Sequence, residues 1–159
     1  MAVPVSVQGL GIRVSRAAAA DPQNAWQTLF TISGGAILLT ALVGARTVIQ
    51  AGGASTMQFR HSIGPTVLDA GTAAITGDDV LTAYWLTGDT TDPIQVGVVG
   101  APVMAGRVVA TSTTYGSPGL FVLSAGNVQV TMTAAVGTGS TGYTLCYIPL
   151  ASGARVVAA

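Results

Sequence analysis

The chain has 159 residues, of which 50% are hydrophobic and 8% charged, with zero formal net charge and a single cysteine. All six positive charges are arginine and all six negative charges aspartate, so lysine and glutamate are absent. This length makes one domain, the missing net charge removes the attraction behind non-specific nucleic-acid binding, and one cysteine excludes an intrachain disulfide.

The first 25 residues differ from the rest. Val3, Val5 and Val7 alternate, and Leu10, Ile12 and Val14 alternate in the opposite phase across Gly9. Arg13 and Arg16 lend the stretch two positive charges before the first acid, Asp21. We read residues 1–25 as an extended arm, with Ala17 to Ala20 a helical turn or simply linker. Asp21-Pro22 matches an N-cap followed by proline at the first helical position, which predicts a single turn through Trp26. An arm that cannot bury its own valines is expected to add as a strand to a neighbour. Its candidate contact residues are Val3, Val5, Val7, Leu10, Ile12, Arg13, Val14 and Arg16.

Residues 26–159 read as a β-domain. Leu29 to Ile32 and Ala36 to Val43 are strand-like on either side of Ser33-Gly34-Gly35. Ile37, Leu39, Ala41 and Val43 share one face at period two, yet Leu38 and Leu42 oppose them, so this strand is expected to be buried on both sides. Thr47 to Gln50 forms a separate piece after Gly44. Met57, Phe59 and His61 alternate with Gln58, Arg60 and Ser62, a half-exposed strand. Short pieces follow at Thr66 to Leu68, Thr72 to Ile75, Leu81 to Leu86, Ile94 to Val98, Arg107 to Thr113 and Leu120 to Leu123. Val128, Val130 and Met132 alternate, as do Tyr143, Leu145 and Tyr147, and Pro149 closes the last run. Some eight to ten short strands at this spacing predict an all-β antiparallel sandwich, jelly-roll-like, with an extended N-terminal arm.

No secretory leader is expected, because the first basic residue follows the valines instead of preceding them. The apolar run from Leu29 to Val43 is broken by Thr31, Ser33, Gly34, Gly35 and Thr40, and the uncharged stretch from Val108 to Ala154 is full of Gly, Ser and Thr. Neither suits a membrane-spanning helix.

Catalytic equipment is thin. His61 is the one histidine, five of the six aspartates fall between Asp69 and Asp92, and no Gly-x-Ser-x-Gly elbow occurs. General acid–base chemistry needs a base near neutrality or paired carboxylates, so no enzyme and no catalytic residue is expected. Asp78-Asp79 and the Gly88 to Pro93 segment hold oxygens that suit calcium, but their spacing fits no calcium loop, and Asp, Gly and Pro form turns. No metal or other cofactor is expected. Cys146 reads as a small apolar strand residue. Trp26, Trp85, Tyr84, Tyr115, Tyr143 and Tyr147 fill a core or an interface, or else form a sugar-stacking platform.

The passage GYTLCYIPLASGARVVAA, Gly142 to Ala159, resembles the closing strand of small β-proteins of tailed-bacteriophage virions. LFTISGGAILLTALVGARTVIQ, Leu29 to Gln50, is similar to their Gly-rich opening hairpin. The resemblance implies a head decoration, or cement, protein that binds the outside of a capsid as an oligomer, a trimer in most such proteins, and steadies capsomer contacts. The implied partners are the major capsid protein and further copies of the chain, with neither nucleic acid nor membrane. The implied location is the virion surface after synthesis in the host cytoplasm. The alternative is a tail or baseplate host-recognition module that binds cell-surface glycans.

Overall fold

The computed structural model describes residues 11–49, 55–64, 66–69, 73–75, 80–86, 95–97, 120–133 and 139–159. Among them are twelve strands and no helix. In chain order they are β1 (Ile12–Ala20), β2 (Gln27–Ser33), β3 (Ile37–Val48), β4 (Thr56–His61), β5 (Thr66–Val67) and β6 (Ala73–Ala74). Then come β7 (Ala83–Trp85), β8 (Gln95–Gly97), β9 (Phe121–Leu123), β10 (Gly126–Thr133), β11 (Ser140–Pro149) and β12 (Arg155–Ala158).

Two antiparallel six-stranded sheets form a sandwich. Sheet A runs β1-β11-β3-β7-β8, with β9 also on β3; sheet B runs β12-β2-β10-β4-β5, with β6 also on β4. Thus β1 pairs with β11, β2 with β10, β3 with β9 and β4 with β5, successive pairs lying in alternate sheets. That is the rolled-up order of a jelly roll.

The alternating residues explain the layer between the sheets. Leu145, Tyr143, Leu42 and Leu39 point inward from sheet A, and Phe30, Ile32, Phe59, Val128 and Val130 from sheet B. Phe59 and Tyr143 meet edge-on across the gap, their centroids 6.0 Å apart and planes at 89°. Such aromatic pairs add roughly 0.5–1.5 kcal/mol beyond area burial.

Several expectations change. Residues 12–20 are not a free arm: β1 is hydrogen-bonded to β11 of its own chain from Ile12 to Ala20, with a register shift between Arg16 and Ala19. Ala17 to Ala20 are strand, because that pairing satisfies their backbone better than a lone helical turn, whose nucleation is costly. Asp21-Pro22 caps no helix; residues 23–25 only bend, with Asn24 in the left-handed region at φ 52° and its N–H donating to the Met132 carbonyl at 2.8 Å. Gly44 lies within β3, which continues to Val48.

The Gly-rich link after β2 does not close a hairpin, since β2 and β3 belong to different sheets. It arches between them, with Gly34 at φ +75° and so close to Gly153 that a Cβ there would stand 2.1 Å from the Gly153 carbonyl oxygen. Likewise Gly142 to Ala159 is not one closing strand. It splits at Leu150 to Gly153 into β11 of sheet A and β12 of sheet B.

Candidate functional site on the outer face of sheet A

At the far end of β3 from that arch, sheet A carries a buried ion pair. Arg46 donates through a terminal nitrogen to the Asp21 carboxylate in a short contact, and through Nε to the Tyr84 hydroxyl at 2.9 Å. Thr141 Oγ1 donates to the other Asp21 oxygen at 2.8 Å. The Arg46 and Asp21 side chains are 0% and 2% exposed. Burial alone would lower the Arg46 pKa, but the Tyr84 hydrogen bond and the Asp21 charge outweigh it and hold the cation more firmly. Tyr143 is pushed well above its ordinary value, chiefly by burial and then by the Asp21 charge. The cluster is closed to water and joins the residue that follows β1 to β3, β7 and β11.

His61 and Asp69 are likewise structural. His61 bonds the Ser124 carbonyl through Nε2 at 3.1 Å, and burial lowers its pKa despite that bond. Asp69 is 1% exposed and accepts the Phe59 N–H at 2.8 Å, completing the β4 edge between β5 and β6. Among the described residues no three His, Cys, Asp or Glu side chains gather into a metal site.

The outer face of sheet A is different in kind. Residues opposite one another in register share a face, which assembles Val122, Leu38 and Ile148 into one row across β9, β3 and β11. Ala41, Cys146 and Arg13 form the next row, and Trp85, Val43, Thr144 and Ser15 the one after. Val122 is 63% exposed and Ile148 39%. Arg13, at the β1 edge, is the one charged side chain in these rows; its Nε donates to Ser15 Oγ at 3.3 Å. Beside it the Cys146 thiol is raised by burial, only partly offset by the Arg13 charge. A solvated antiparallel sheet normally turns a polar face outward, and contiguous exposed apolar rows mark contact surfaces.

Of the eight residues expected to make contacts, Val3, Val5, Val7 and Leu10 lie outside the described residues. Arg13 alone of the other four reaches this face. Ile12, Val14 and Arg16 sit opposite Tyr147, Leu145 and Tyr143, on the inward side of β1. Val14 packs against the core, and Arg16 Nε donates to the Ala159 carbonyl at 3.1 Å, tying β1 to the end of β12.

The contact candidates that the arm reading missed are Leu38, Val43, Trp85, Val122 and Ile148. The doubly apolar pattern of β3 was their signal. A register shift between Cys146 and Tyr147 carries the pairing from Ala41 straight to Leu39 and changes the phase at Thr40. Ile37, Leu39 and Leu42 therefore face inward, while Leu38, Ala41 and Val43 face outward. Comparison with known proteins finds no matching family, no matching characterised sequence and no matching solved structure.

Proposed function

We propose that this chain is a structural protein of a bacteriophage particle, binding the outside of the capsid as an oligomer and steadying contacts between capsomers. One observation carries the contact role: the Val122–Leu38–Ile148 row exposes Val122 and Ile148 beside a half-buried Leu38, and Arg13 is the single charge in the rows next to it. That surface gains free energy when another protein covers it, and each well-buried aliphatic side chain contributes roughly 1.5–3 kcal/mol. The resemblance of Leu29 to Gln50 and Gly142 to Ala159 to virion β-proteins supplies the capsid as the partner and the trimer as the state. Repeated modest contacts from one oligomer then add up to avidity without any catalytic chemistry.

The test is to mix purified protein with capsids lacking it and to measure co-sedimentation, with light scattering for the oligomeric state. A Leu38→Asp/Val122→Asp variant should lose about a hundredfold or more in capsid affinity, the effect of removing two such anchors. Its unfolding free energy should fall by no more than about 1 kcal/mol, the cost of two like charges facing each other across β3 and β9, because both side chains point away from the core. A wild-type protein that stays monomeric and leaves capsids bare overturns the proposal.

A further inference from the structure

The outer face of sheet B is built for another kind of contact. In place of apolar rows it presents Thr28, Thr31, Asn127, Gln129 and Arg60, already linked by side-chain hydrogen bonds, with Gln58 beside them on β4. Thr31 Oγ1 donates to Asn127 Oδ1 at 3.1 Å and Gln129 Nε2 to Thr28 Oγ1 at 3.3 Å. Arg60 Nε donates to Gln129 Oε1 at 2.8 Å. Trp26, just before β2, places its indole against Arg60, with the guanidinium carbon 4.1 Å from the ring centroid.

These two contacts fix the Arg60 guanidinium from different sides. The indole holds the guanidinium over its ring face, worth roughly 0.5–2 kcal/mol, and Gln129 holds Nε. The two terminal amino groups are left to form the fork that pairs bidentately with a carboxylate. No acid answers it among the described residues. Asp21 is bound to Arg46 and Thr141, and Asp69 accepts from Phe59, both buried. An ordering of this kind lowers the entropic cost of binding before any ligand arrives.

We propose that Arg60, Trp26 and Gln129, with Gln58 and Thr28 beside them, form a binding site for a carboxylate-bearing saccharide. Arg60 takes the carboxylate, and the partly exposed indole offers apolar surface to the C–H groups of the sugar ring. The amide and hydroxyl groups along β2, β4 and β10 supply the donors and acceptors that a polyhydroxylated ligand needs. An acidic peptide would use the fork, and its backbone would meet the same amides and hydroxyls, but it brings no C–H ring face edged with hydroxyls to the indole, so the saccharide is favoured. The site is independent of the capsid reading, because it lies on the opposite sheet.

The experiment titrates the full chain with 3′-sialyllactose and with a glucuronate-containing tetrasaccharide. Controls are lactose, the methyl ester of sialyllactose and a short poly-aspartate peptide. Binding is followed by NMR at the Trp26 indole and the β4 amides. Both acidic saccharides should shift these signals, while lactose and the ester bind at least about tenfold more weakly, as expected for a lost charge-assisted fork. Arg60→Lys keeps the charge and loses the fork, and should weaken the acidic saccharides by a similar factor without altering capsid binding. Should that variant fail to fold, the acid-against-ester comparison on the wild type still decides. No shift at millimolar acidic saccharide, equal binding by lactose, or binding of the peptide alone would each overturn the assignment.

Discussion

Asp21→Asn removes one charge from a pair that the sandwich has sealed, and keeps the side-chain shape. Arg46 then remains a cation at 0% exposure, with Tyr84 accepting from Nε but no carboxylate opposite its terminal nitrogen. Breaking a buried ion pair from one side costs about 3–5 kcal/mol, because the surviving charge is left out of water with no opposite charge beside it. For a domain of 150–250 residues each kcal/mol shifts the melting temperature by about 2–4 °C, so the expected fall is roughly 6–20 °C. Replacing both partners together, Asp21→Val with Arg46→Met, removes the orphaned charge and should recover much of the loss. The assay is thermal and urea unfolding of the two single variants and the double, closed into a cycle. A single Asp21→Asn loss below about 1 kcal/mol, the range of exposed pairs, would refute the claim that this pair is desolvated.

Two further outcomes follow from the fold. His61 has a folded pKa below its ordinary 6.5, set first by burial. The unfolded chain therefore binds the proton more readily, so stability should be full above that value and fall as pH drops through it. A stability–pH profile should show this loss, and His61→Phe should flatten it; a profile unchanged by the substitution counts against a buried neutral imidazole. Gly34→Ala should destabilise by about 1–2 kcal/mol from its left-handed backbone alone. The 2.1 Å approach to the Gly153 carbonyl adds to that. Unfolding in urea checks it, and a loss no larger than that of Ser33→Ala would contradict the tight arch.

The period-two runs made the strand content legible, and Met57–Phe59–His61 and Val128–Val130–Met132 face the core as their alternation indicates. Sheet membership was not legible in this way. Gly34-Gly35 marks a reversal, but the same glycines serve a hairpin or an arch, and only the meeting of Gly34 with Gly153, distant in sequence, separates the two. The phase of β3 was hidden for a related reason: a bulge is defined by its partner strand, and Thr40 carries no local mark of it. Arg46 and Asp21 could not be matched from sequence either, since any of six arginines and six aspartates might have paired. The Arg60–Trp26 stack depends on the bend at residues 23–25, which the Asp-Pro signal disguised as a helix start.

The pairing of β1 with β11 has a kinetic side. Ser15 and Thr144 face each other from positions 129 apart in sequence, so the first described strand is synthesised long before its partner. Closing such loops is slow, and chains dominated by distant pairings fold in milliseconds to seconds. Throughout that delay β1 is an open edge beside which a strand from another nascent chain can align. Yield on refolding should therefore fall with protein concentration, and crowded polysomes are the setting in which sister chains would most readily trap one another.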